Sequence, residues 1–179
     1  ELREETQFTD MQLHRALRQQ RAVVSSGPYP TLTVKDASGT VRPLVGRRIG
    51  KTRGVTLQVQ AACWVPLSSV SLVANGKEVR RWKLPRPYAG AEAVPRALPA
   101  APGQPRKAPG CNPVRFTQTL DLTPDRDTWY VVVARSREPL PVLRHKATAV
   151  FGFTNPVYVD ADGDGRFTPP GVGLVPPTR

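Results

Sequence analysis

From Thr31 onward, apolar residues recur at every second position in short runs separated by turn residues. Thr31-Leu-Thr-Val34 and Val55-Thr-Leu-Gln-Val-Gln60 alternate, and Val114-Arg-Phe-Thr-Gln-Thr-Leu-Asp-Leu122 does so strictly. This period of two predicts strands with one face on a core. Ser69-Val-Ser-Leu-Val-Ala74 and Lys77-Glu-Val-Arg-Arg-Trp82 are joined by Asn75-Gly76. That dipeptide accepts positive φ at both central positions of a type I′ turn, so a hairpin is predicted. Thr128-Trp-Tyr-Val-Val-Val-Ala134 is nearly continuous in apolar residues, as a central strand would be, and places Trp129 in the core. Thr148-Ala-Val-Phe-Gly-Phe153 and Pro156-Val-Tyr-Val159 complete the set, after a short early strand at Ala22-Val-Val-Ser25. An antiparallel β-sandwich of about seven or eight short strands follows.

Only residues 8–20 show helical spacing. Leu13, Ala16, Leu17 and Gln20 share one face. Thr9 with Gln12 forms a capping box, and Phe8 can staple onto Leu13. The expected organisation is an N-terminal helix and connecting strand over 1–28, a sandwich over 29–168, and a proline-rich tail over 169–179. The stretch 84–113 holds eight of the chain's 20 prolines and reads as an irregular basic insert within the sandwich.

Charge adds a second asymmetry. The formal net charge is +12, and fourteen Lys or Arg face only Glu78 and Glu92 between Arg42 and Arg115. The region 42–115 could attract a polyanion, a glycan or an anionic partner, or could simply be a solubilising surface. No nucleic-acid module accompanies it, and no apolar run reaches the length of a membrane span. Cys63 and Cys111 flank the insert. They read either as one disulfide of an exported protein or as two unrelated thiols. A bridge would close a loop of about 48 residues, worth roughly 4 kcal/mol in a chain-entropy picture.

Candidate chemistry is concentrated in Val159-Asp-Ala-Asp-Gly-Asp-Gly-Arg-Phe-Thr168. Asp160, Asp162 and Asp164 take positions 1, 3 and 5 of a calcium-type loop, with Gly165 at the sharp turn. The carbonyl of Arg166 and Thr168 would follow at positions 7 and 9. Position 12 is Gly171, so the bidentate glutamate of an EF-hand is missing. The alternative is an Asp/Gly turn whose carboxylates accept backbone N–H groups. Elsewhere catalytic parts are lacking. His14 and His145 stand alone, and Gly46-Arg-Arg-Ile-Gly50 lacks the ending of a phosphate loop. No residue of this chain is expected to be catalytic. Trp64 and Trp82 are read as packing residues rather than ligand platforms.

Several of these segments together resemble one family. Leu13-His-Arg-Ala-Leu-Arg-Gln-Gln-Arg-Ala-Val-Val-Ser-Ser-Gly-Pro28 is similar to the AL-x-x-G-R-V-V-V-S-N-G-P junction of PHP-type metallohydrolases (polymerase and histidinol phosphatase-like), in the branch that includes the CehA/McbA family. Asp127-x-Trp129, the Asn75-Gly76 hairpin and Phe153-Thr-Asn-Pro-Val-Tyr-Val-Asp-Ala-Asp-Gly-Asp-Gly165 follow in the same order. Gln19-Gln20-Arg21 departs from the family's glycine before the arginine. The resemblance implies an accessory C-terminal β-sandwich that packs on an upstream catalytic barrel or on another subunit. The hydrolytic metal would then belong to that barrel, leaving calcium at the Asp loop as this chain's own expected cofactor. The alternative class is a standalone exported module that uses its basic surface for binding. Either way the expected location is periplasmic, cell-surface or secreted.

Overall fold

The computed structural model describes residues 9–20, 22–84, 112–140 and 149–168. Within them the chain forms one helix and two packed sheets. Helix α1 (Asp10–Arg18) begins at Thr9, whose Oγ1 accepts from Gln12 N while Gln12 Oε1 accepts from Thr9 N at 2.9 Å. The capping box is therefore present; Phe8, the other half of the expected staple, lies outside the described residues.

Eleven strands follow: β1 (Val23–Ser25), β2 (Tyr29–Lys35), β3 (Val41–Pro43), β4 (Arg48–Gly50), β5 (Thr52–Gln60), β6 (Ser69–Ala74), β7 (Lys77–Lys83), β8 (Val114–Leu122), β9 (Thr128–Arg135), β10 (Phe151–Thr154) and β11 (Val157–Asp160). One sheet is antiparallel in the order β3-β2-β5-β8. The other centres on β9, which pairs with β6 on one side and with β10 and β11 in succession on the other. Beyond these, β7 extends from β6, β1 from β10, and β4 runs parallel to β11. Strands β3 and β4 exceed the expected set. At three residues each they are too short to show a period.

The sandwich core is filled from both sheets by the inward half of each alternation. Leu32, Val55, Leu57, Val59, Leu122, Val70, Val132, Val157 and Val159 are buried. Each such side chain contributes about 1.5–3 kcal/mol on burial. The Asn75-Gly76 turn has φ of 49° and 80°, as a type I′ hairpin requires. Asn75 also bonds across to β9, its Oδ1 accepting from Trp129 N at 3.1 Å.

Trp129 corrects an expectation. Tyr130, Val132 and Ala134 of β9 are buried in the core, whereas Trp129, Val131 and Val133 are half-buried on the opposite, outer face. The apolar run reflects a strand with apolar residues on both faces, only one of which meets the other sheet. Trp82 does pack on the core, 5.3 Å from Phe116, and Trp64 packs on a smaller cluster of Ala61, Val65, Leu140 and Val150.

The junction Thr154-Asn155-Pro156 ties separate parts together. At the step between β10 and β11, the buried Thr154 Oγ1 accepts from Val132 N at 3.1 Å. Asn155 Nδ2 donates to Gln20 O at 2.7 Å, holding the end of α1. Pro156 O accepts from Gly46 N at 2.9 Å. Strand β1, expected as a connector, is an integral member of the sheet through β10.

Candidate functional site

The Asp-rich loop is positioned by β11. Val157 and Val159 point into the core, so Tyr158 faces outward and Asp160 ends the strand. Phe167 returns to meet Tyr158 edge-on, with ring centroids 5.1 Å apart. Between these anchors the chain folds into successive Asp turns. Asp160 Oδ1 accepts from Gly163 N at 2.7 Å and its Oδ2 from Gly165 N at 2.9 Å. Asp162 Oδ1 accepts from Asp164 N at 3.2 Å, and Asp164 Oδ1 from Arg166 N at 2.6 Å. Gly163 and Gly165 have φ of 77° and 80°, which explains their alternation with aspartate.

A residue from another loop completes the site. Asp127, just before β9, is buried; its Oδ1 accepts from Ala161 N at 2.8 Å and its Oδ2 from Thr168 N at 2.5 Å. One carboxylate thus clamps both ends of the loop. Arg48 of β4 adds a donor, its Nη1 lying 2.7 Å from Gly165 O.

Asp127, Asp160 and Asp162 each bring one carboxylate oxygen within 4.8 Å of the others. It is the one such group of acidic, His or Cys side chains among the described residues. Burial pushes the Asp160 carboxyl up. The Gly163 and Gly165 amides, a hydrogen bond shared with Asp162 and the Arg48 charge together hold it below the usual carboxylate range. Hard oxygen donors of this kind suit calcium or magnesium rather than a thiophilic metal. Of the residues singled out in the sequence, Asp160 and Asp162 join this group. Asp164 is engaged with Arg166 N, and Thr168 is placed by its own N–H on Asp127. Asp127 was visible only as part of Asp127-x-Trp129. Its distance of more than thirty residues from the loop left no spacing to read.

His14 is exposed on α1, and His145 lies outside the described residues. Cys63 is disulfide-bonded. The chain's other cysteine, Cys111, lies outside the described residues, as do most of the insert and the proline-rich tail. No described helix is long and apolar enough to cross a membrane. Comparison with protein-family models, with curated proteins and with solved structures found no match.

Proposed function

We propose that this chain is a non-catalytic accessory β-sandwich that packs on a PHP-type metal-dependent hydrolase domain, with calcium closing its Asp loop. The family part of this reading rests on the sequence resemblance. The structural observation that carries the packing role is α1. Leu13 and Leu17 of its apolar face are 42% and 54% exposed, and none of the helix's residues is buried. An amphipathic helix of nine residues gains most of its stability from packing an apolar face, so this face suits a partner domain.

The coding sequence upstream of Glu1, or a neighbouring gene, is then expected to encode a PHP barrel. Leu13→Asp combined with Leu17→Asp should change the stability of this chain by no more than ordinary surface substitutions do, about 0.5 kcal/mol each. The same change should weaken association with that barrel at least about tenfold in a titration, since it removes an apolar anchor. A genome region without a barrel, or wild-type association by the double variant, would sink the reading.

The calcium part has a separate readout. Asp127, Asp160 and Asp162 would supply the protein oxygens, and an ion that binds only the folded state raises its stability by mass action. Melting with calcium is expected above melting with a chelator, and Asp162→Ala should abolish the difference. Equal melting temperatures for the unaltered chain would leave the loop as a self-satisfied turn.

A further inference from the structure

On the sheet face away from the core, the edge strand β7 and the central strand β9 flank β6. Val70 and Leu72 of β6 point inward with Trp82 of β7 and Val132 and Ala134 of β9. The alternation therefore turns Lys83 and Arg81, Ser69 and Ser71, and Arg135 outward. Ser69 is paired in register with Lys83 on one side and with Arg135 on the other, and Ser71 with Arg81. Two strand spacings put the β7 and β9 backbones about 10 Å apart. Ser69 leaves a short trough walled by Lys83 and Arg135, while at the next outward position Arg81 and Val133 flank the buried Ser71.

This trough is part of a cleft of about 490 Å³ that continues to Ser136, Arg137 and Glu138 after β9. Its apolar part is Leu67 and Leu84. The backbone there is fixed: Arg137 N donates to Ser68 Oγ at 3.2 Å, Leu84 N to Ser68 O at 3.0 Å, and Ser68 N to Arg135 O at 2.9 Å. Arg81 is held by Glu78 at 2.7 Å. Lys83, Arg135 and Arg137 form no ion pair among the described residues. Four cations against Glu138 in the cleft and Glu78 beside it leave a net positive site.

We propose that this cleft binds a sulfate or phosphate monoester carried on a sugar-sized body. The guanidinium groups offer paired N–H donors that match a tetrahedral oxyanion, Lys83 adds a point charge, and the half-buried Leu84 offers an apolar contact to the organic body. The volume falls within the range of small-ligand sites. The site lies toward the β7 edge. Helix α1 is tied at the opposite side, through Asn155, so the two roles are independent.

The test is calorimetric titration of the full chain with glucose 6-sulfate, with glucose 6-phosphate, and with glucose. At least one ester is expected to bind, more weakly as salt is raised, and the neutral sugar to give no heat. The stronger ester identifies the source of the oxyanion. Lys83→Gln with Arg135→Gln should weaken that binding at least about tenfold, as expected for lost charge-assisted bonds. Lys51→Gln with Arg53→Gln, at the start of β5 on the other sheet, should leave it unchanged. Arg137→Gln gives the same reading, with a smaller loss, should the double variant fold poorly. Absence of binding by both esters, or equal weakening by the two variant pairs, would overturn the proposal.

Discussion

Gly152→Ala is expected to destabilise the sandwich by about 3 kcal/mol, at the upper end of overpacking effects. Gly152 lies within β10, paired with Ser25 of β1 on one side and Ala134 of β9 on the other. Its inward face meets the start of β2. A Cβ built there would overlap the carbonyl oxygen of Pro28 and lie 3.2 Å from both Pro28 C and Pro30 Cδ. The nearest obstacle is backbone, so no rotamer change can relieve it. Either β10 must leave β9, or the Pro28–Pro30 segment must leave the core, and both moves break ladder bonds. For a chain of this size the change corresponds to a melting-temperature drop of about 6–12 °C. Gly39→Ala is the comparison. Gly39 has φ of 79° but nothing within 4 Å of a new Cβ, so Gly39→Ala should cost only the left-handed strain of an L side chain, about 1–2 kcal/mol. If Gly152→Ala costs no more than Gly39→Ala, the close approach of β10 to β2 is not a constraint on the fold.

Most strands were legible because one face of each meets the opposite sheet, and alternation in β2, β5 and β8 records that directly. The Asn75-Gly76 turn was legible for a local reason, the positive φ at both residues. Strands β3 and β4 were not. Strand β4 pairs with the sequence-distant β11, and β3, although it directly follows its partner β2, has like β4 only three residues and carries no period. Trp129 was misplaced because composition cannot say which of two apolar faces meets the other sheet. The Asp loop was legible as a spacing, and its glycines as turns. Its clamp was not, because Asp127 reaches it through the pairing of β9 with β11. Thr154-Asn155-Pro156, first notable as a motif, has a structural job at each position: a bond to β9, a bond to the end of α1 and a bond to Gly46.

Asp127→Ala is expected to cost about 3 kcal/mol, because charge-assisted hydrogen bonds contribute roughly 1.5–3 kcal/mol each and their loss leaves donors without partners. The two donors are Ala161 N, which is buried, and Thr168 N. Freed of the clamp, the segment 161–168 loses both of its ties to the β9 end of the sheet. Amide exchange in that segment should therefore accelerate more than exchange in β5 or β9, which separates loop release from global unfolding. Asp127→Asn should lie between, since its amide oxygen can keep one N–H while its NH2 group faces the other donor. Asp162→Ala distinguishes the turn from the ion site. Asp162 is exposed and its carboxylate accepts one backbone bond, from Asp164 N at 3.2 Å, so in chelator its removal should cost less than 1 kcal/mol. Without calcium the order of damage is then Asp127→Ala well above Asp162→Ala; with calcium both variants lose the ion's added stability. A chelator ranking with Asp162→Ala equal to or above Asp127→Ala would show that the loop is not held through Asp127. A calcium shift surviving in Asp162→Ala would show that an ion acts elsewhere on the chain.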